Sequence, residues 1–528
     1  MTTTQAATAP ETVSETVTLG TWLAVIGATL GAFMAVLNIQ ITNAALPDIQ
    51  GAIGAGIDDG GWISTSYLIT EIVVIPLSAW LARAFSVRVY LLANAALFLV
   101  FSVACAFAQN LGQMIVLRGF QGFTGGVLIP MAFTIIMTTL PRSRQPIGLA
   151  LFAISATFAP AIGPTIGGWL NDNYGWQFIF YVNLVPGAVM LGMLAASLPA
   201  TPMRLSLLRQ GDWLGIVTMA LGLGSLQTML EEGNKDDWFG SPFILHLAIV
   251  AAIMLPLFVA IELTATRPLL NLRLLVRRNF GLGTVANFLL GVALYGSVFV
   301  LPLYLSQAQG YDAEQIGEVL AWTGLPQLIL IPLIPRMMKR IDARYLVGIG
   351  FLLFAVSAFA TTHLDADFSG PQFLVPNVIR AIGQALVLTP LSAIATAGIE
   401  AENAGSASAL FNMMRNLGGA IGIAVLQTVY TKREQFHSNV ITTALSTSSE
   451  RLHARLTQFT QYFMAHGLSD ASLAQREAIV ALGRAVKHQA AIMGYADAFF
   501  VLGAALVVAL LATACLRKPD HLSAGGAH

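Results

Sequence analysis

Leu117-Arg118-Gly119-Phe120-Gln121-Gly122 sets an arginine inside an apolar stretch that runs from about residue 113 to residue 139. A guanidinium in such a stretch must face a cavity or a polar partner, because an uncompensated buried charge is costly. The surroundings of that stretch decide what kind of solvent it meets. Of the 528 residues, 56% are hydrophobic and only 10% are charged, with a mean hydropathy of +0.72. A soluble globular chain carries about 25% charged residues, so this one lacks the polar surface to face water and is read as an integral membrane protein. Lys+Arg and Asp+Glu each number 27; the absence of net charge excludes a basic polyanion binder, and no nucleic-acid partner is expected. Cys105 and Cys515 both lie in apolar runs, where free cysteine behaves as a small hydrophobe, and neither a disulfide framework nor a metal site is indicated.

A helical span needs about 20 mostly apolar residues. That ruler finds six runs between 20 and 198, two at about 212–230 and 242–264, and six more between 279 and 516, in all fourteen spans. Alternating barrel strands are absent. The expected fold is therefore all-α, with two six-helix bundles at 20–198 and 279–516 and two inserted helices with their linkers at 199–278. Residues 1–19 and 517–528 form tails, and the first of these lacks the basic region that opens a secretory signal.

Basic residues choose the orientation. With the N-terminus inside, the inner loops hold Arg83 and Arg88, Arg142 and Arg144, Arg204 and Arg209, the group from Arg267 to Arg278, the group from Arg336 to Arg344, and finally Arg517 and Lys518. The short outer loops hold only Lys235. Both termini are expected to be cytoplasmic. The outer segment 431–493 is the one sizeable polar piece, with a Ser/Thr run from Ser446 to Ser449 and four histidines. Thr447 and Glu450 have capping-box spacing; Leu452, Leu456, Phe459 and Phe463 follow at helical intervals, and Ile479, Leu482 and Val486 indicate a second amphipathic helix. Such helices can lie on the lipid bilayer, cover the protein's own outer mouth, or dock a partner.

Two further runs bear on mechanism. Arg380-Ala381-Ile382-Gly383-Gln384 in the twelfth span echoes Arg118 to Gln121, with the glutamine four residues on rather than three. The echo points to two related halves. In the fifth span, Ala159-Pro160-Ala161-Ile162-Gly163-Pro164-Thr165-Ile166-Gly167-Gly168 places two prolines and three glycines in one helix. Proline kinks a helix, and Gly163 with Gly167 offers a small face for close approach. Ordinary tight packing would use the same residues.

These stretches together resemble the major facilitator superfamily, in particular its fourteen-span EmrB/QacA-type drug:proton antiporters. Arg118 to Gly122 is similar to the fourth-span motif that the family associates with proton transfer, and Gly163 to Gly168 to its fifth-span antiporter motif. Leu37-Asn38-Ile39-Gln40-Ile41-Thr42-Asn43-Ala44-Ala45-Leu46-Pro47 resembles the first-span motif, and Gly224-Ser225-Leu226-Gln227 with Trp238-Phe239 the region of the extra seventh span. There are departures: Asn38 stands where the branch usually has Asp, and in the second-to-third loop Arg83 replaces the usual Asp while Ala79 and Ser86 replace glycines. The resemblance implies a multi-pass protein of the bacterial inner membrane, with a periplasmic adaptor and an outer-membrane channel as partners.

No phosphate-binding loop occurs to supply energy from ATP, so an ion gradient is the expected driving force. The histidines are scattered rather than grouped as ligands, which argues against an enzyme, and no cofactor is expected. The reading is a proton-coupled antiporter exporting amphipathic drugs or toxic organic compounds; the alternative is a carrier of one defined metabolite such as a siderophore or an organic acid. Asn38, Gln40, Asn43, Tyr67, Gln121, Asn287, Arg380, Asn412 and Arg415 are the candidates to line the substrate cavity. Pro160, Gly163, Pro164, Gly167 and Gly168 are the candidates for conformational exchange. Glu71 is the candidate proton carrier, because it lies mid-span with apolar residues after it, where burial favours the neutral acid and an approaching cation the ionised one. Arg118 is its candidate partner and Asp48 the reserve acid.

Overall fold

The computed structural model describes residues 17–56, 59–444 and 450–518. The two chain ends and the proposed cap at Thr447 lie outside those residues. Fourteen helices are long and apolar enough to cross a bilayer: α1 (Leu19–Ala44), α2 (Trp62–Phe85), α3 (Val87–Ala106), α4 (Leu111–Thr139), α5 (Gln145–Tyr174), α6 (Phe178–Ser197), α7 (Trp213–Glu232), α8 (Pro242–Thr264), α9 (Arg278–Gln307), α10 (Glu314–Met337), α11 (Ala343–Ala360), α12 (Gly370–Thr396), α13 (Ala401–Ala444) and α14 (Ala471–Ala514). No strand occurs among the described residues.

Polar caps set the starts. Asn110 accepts from the Gln113 amide at α4, Asp212 from Gly215 at α7, and Asp312 with Gln315 forms a reciprocal box at α10, each satisfying amides that the first helical turn leaves orphaned. At the α2–α3 turn Ser86 has φ +71° and a buried, unpartnered hydroxyl. A glycine would adopt that backbone without strain. Outside the spans, Arg277 pairs with Glu400 at 3.0 Å and holds its carboxyl down to about 2, tying the start of α9 to the α12–α13 turn.

Helices α1 to α6 form one bundle and α9 to α14 the other. They meet where α5 packs on α10 and α12, and where α2 and α4 pack on α13. The inserted α7 packs on α8, on α2 and on α13; Thr65 of α2 donates to Glu232 at its exit, at 2.8 Å. Outermost is α8, with leucines, isoleucines and valines such as Leu245, Ile249, Ile253, Leu257 and Val259 exposed, as lipid contact requires.

The outer segment departs from a separate insertion. The helical part of α13 runs for 41 residues and α14 for 44, about 60 Å each at 1.5 Å per residue against a hydrocarbon core of about 30 Å. Both therefore project from the membrane, and the stretch around Ile479, Leu482 and Val486 is the projecting part of α14 rather than a helix of its own. A helix over Glu450–Ala465 packs back on α14, with Leu452, Leu456, Phe459 and Phe463 half-buried. At the base of this hairpin Asp497 accepts from Arg433 at 2.5 Å and pairs with His437 at 2.7 Å, while the rings of Tyr430 and Tyr495 stack at 4.3 Å.

A buried polar centre between two bundles

Glycines decide how the polar centre forms. A methyl group on Gly122 would lie 2.3 Å from the Tyr67 carbonyl oxygen, and one on Gly126 2.9 Å from the Glu71 Cα. These two residues thus let α4 lie directly against α2. That approach brings Arg118 beneath the face of Tyr67, with its guanidinium carbon 4.4 Å from the ring centroid. Arg118 is fully buried, and its Nη1 donates to Asn38 Oδ1 and to Gln121 Oε1, both at 2.7 Å, while Nε donates to the Ile63 carbonyl at 3.3 Å. Gln121 passes the chain on by donating to Ser102 at 2.6 Å, and Asn183 donates to the same hydroxyl at 3.3 Å. Asn38, standing at the position where the resemblance expects an acid, is a neutral acceptor for the arginine.

One turn from Tyr67, Glu71 is buried at the seam of the bundles. Asn416 of α13 donates to its Oε1 at 3.4 Å, and the charges acting on it are those of Arg415 and Arg118. Arg415 is fully buried, over the ring of Phe152 at 5.5 Å and beside Tyr295, and its three guanidinium nitrogens lack acceptors of hydrogen-bonding geometry. Nearby, Asn287 donates to the Phe411 carbonyl at 2.7 Å and Asn412 to that of Ser408 at 2.9 Å, leaving both amide oxygens unpartnered. Unsatisfied buried groups of this kind call for a ligand or ordered water.

The centre thus gathers Asn38, Tyr67, Glu71, Arg118 and Gln121 from one bundle, with Asn287, Asn412 and Arg415 from the other. The remaining candidates lie elsewhere. Asn43 is exposed and accepts from Ser64 at 2.6 Å, and Asp48 is exposed and accepts from Asn171 at 2.7 Å; Asn43 lies in the last turn of α1 and Asp48 beyond its end. Arg380 faces a cavity within the second bundle, lined by α9, α11, α12 and α14, rather than the seam. Gln40 lies in the contact between α1 and α5. Asn416, Tyr295, Ser102 and Asn183 are not among the sequence candidates; Asn416 directly follows Arg415, and the other three are polar residues inside apolar runs.

The fifth helix carries the second device. Pro160 and Pro164 lie inside it, and Gly163, Gly167 and Gly168 are buried. A methyl group on Gly163 would stand 2.3 Å from Gln40 Cβ, and one on Gly167 2.9 Å from the Ile41 carbonyl oxygen. On its other side Thr165 donates to the Gly317 carbonyl of α10 at 3.2 Å. One kinked helix therefore joins α1 of its own bundle to α10 of the other. Gly163→Ala is expected to overpack this contact and lower stability by about 1–3 kcal/mol. Gly192→Ala in α6, where an added methyl meets nothing within 4 Å, should be neutral or stabilising by up to about 1 kcal/mol. Thermal unfolding of the two purified variants in detergent checks the difference.

Two six-helix bundles closing on a buried polar centre are the architecture of a membrane transporter. The chain belongs to the major facilitator superfamily: the profile described as Major Facilitator Superfamily matches residues 28–423. It is 32% identical over 499 residues to the fatty acid resistance protein FarB of Neisseria gonorrhoeae, covering 94% of this chain and 96% of that one. It is 31% identical over 505 residues to the multidrug export protein EmrB of Escherichia coli K12, covering 95% and 96%, and 33% identical over 353 residues to the colistin resistance protein EmrB of Acinetobacter baumannii, covering 67% and 69%. Within the superfamily it is thus of the EmrB type. The crystal structure of the human organic anion transporter MFSD10 (TETRAN) shares the fold at a TM-score of 0.58, with 13% identity, 93% of this chain and 99% of that one covered.

Proposed function

We propose that the chain exports amphipathic organic compounds across the bacterial inner membrane in exchange for protons, with both termini cytoplasmic and Glu71 carrying the proton. The observation that carries this reading is the position of Glu71: a lone acid buried mid-span at the seam, touched by Asn416 of the opposite bundle and acted on by two arginines. When the seam opens outward, water and proton reach the carboxylate; when it opens inward, the proton leaves and Glu71 is again ionised beside Arg415. A lower pH outside than inside then drives substrate outward, since each state favours one occupant. The names of the similar proteins, given for resistance to colistin and fatty acids and for multidrug export, support organic compounds of mixed chemistry as cargo. Cargo held mainly by apolar contact would be weakly discriminated. Survival of a transporter-deficient host across a panel of toxic amphiphiles, with and without this chain, tests the reading. Protection against a single defined metabolite alone would favour the one-substrate carrier instead.

The projecting hairpin is the proposed contact for a periplasmic adaptor leading to an outer-membrane channel. Its surface keeps Phe436, Val440, Tyr462 and Ile479 exposed beyond the bilayer. Deleting residues 446–490 is expected to leave substrate exchange intact in vesicles and to abolish export from whole cells. Loss of vesicle exchange would make the hairpin a lid on the protein's own mouth.

A further inference from the structure

The second bundle repeats the buried arginine of the first without its acceptors. In α4, Gln121 follows Arg118 by three residues and turns its oxygen to Nη1. In α12, Gln384 follows Arg380 by four, and its oxygen instead accepts from Gln327 of α10 at 2.8 Å. Arg380 is left nine-tenths and more buried, with Nε and Nη2 unpartnered and no carboxylate paired with it among the described residues. A guanidinium has no neutral form to retreat to at physiological pH, so its charge must be answered in place.

The cavity beside it has room for about one water-sized body and is lined by Ser297, Ser357, Thr361, Asn377 and Phe373. Ser297 and Thr361 spend their hydroxyl protons on carbonyls three residues back in their own helices, at 2.9 and 2.8 Å. The Leu294 carbonyl lies mid-helix and keeps its helical amide, so the Ser297 hydroxyl can turn toward an occupant at small cost, whereas the Ala358 carbonyl lies in the last turn of α11, where Thr361 is its donor. The site thus offers a fork of free N–H groups, one hydroxyl donor that can be redirected, and no fixed negative charge, in a space too small for an organic substrate.

We infer that Arg380 holds a small monovalent anion, chloride or an ion of similar size, as the resident counter-ion of the second bundle. The anion ties α12 to α9, the helix that supplies Ser297, and lets a fixed charge persist in a membrane-buried core. It lies apart from the seam and does not depend on Glu71 being the proton carrier.

The experiment uses the full-length protein purified in detergent, with sodium gluconate replaced stepwise by sodium chloride at constant ionic strength. A ligand that binds only the folded state raises its stability by mass action. The unfolding midpoint should rise by about 2 °C or more and saturate, and bromide should substitute for chloride. Arg380→Met should abolish the response. Asn377→Asp, which sets a carboxylate one turn before the arginine, should supply the counter-charge internally and also lose the response while folding in gluconate. An unchanged midpoint of the parental protein across the titration means that water alone fills the site and overturns the inference, as does a full chloride response in either variant.

Discussion

Glu71→Gln is expected to bind substrate as the parental protein does and to lose all accumulation driven by a pH difference. The amide matches the acid in size and can still hydrogen-bond Asn416, which lies 3.4 Å from Oε1, so the packing of α2 against α4 at Gly126 is preserved. What it cannot do is gain and lose a proton. In proteoliposomes with an acidic exterior and an inward-facing pump, the parental protein should concentrate substrate on the acidic side, and the variant should only equilibrate it. Counterflow of labelled against unlabelled substrate, which requires rocking but no proton, should continue. If Glu71→Gln still concentrates substrate in response to an imposed pH difference, the coupling group is another acid. Asp48 is then a weak successor, since it is exposed and bound to Asn171, whereas Glu232 at the exit of α7 is buried and tied to α2 through Thr65.

The spans were legible because a bilayer imposes a length and a polarity on every helix that crosses it. Apolar content says where a helix is in lipid, not where it stops: the helical hydrogen bonds of α13 continue through Thr431, Lys432, Arg433 and Glu434 into water, so a ruler of apolar residues ended that helix too early. The polar centre was legible for Arg118, Gln121 and Glu71, whose burial in an apolar run demands a partner. Arg380 was misplaced for a reason visible only in three dimensions. A shift from three to four residues between arginine and glutamine rotates the amide by about 100° around the helix, which takes Gln384 to Gln327 and leaves the arginine facing the bundle's interior. Asn43 belongs to the family-like stretch by sequence and Asp48 directly follows it, yet both are exposed, Asn43 in the last turn of α1 and Asp48 beyond its end.

Arg118→Ala is expected to be the most damaging single change to turnover outside Glu71. Removing the guanidinium leaves Asn38 Oδ1 without its donor, Gln121 Oε1 with only the Cys105 thiol, and the Ile63 carbonyl with Ser66, and a buried acceptor left unsatisfied costs about 1–3 kcal/mol. It also removes the cation under Tyr67 and one of the two positive charges acting on Glu71. Loss of stability and loss of coupling must be told apart, and Arg118→Lys does this. The lysine keeps the positive charge near Glu71 but replaces a planar fork with a single ammonium, which cannot reproduce the set of three contacts. If the role is coupling, the lysine variant should retain pH-driven transport at a reduced rate while the alanine variant has none, even when both are present in the membrane at parental amounts. If instead Arg118→Ala transports at the parental rate once its lower abundance is corrected for, the arginine only ties α4 to α1 and α2, and Arg415, with its three free nitrogens on the other face of the seam, is left as the charge that resets Glu71.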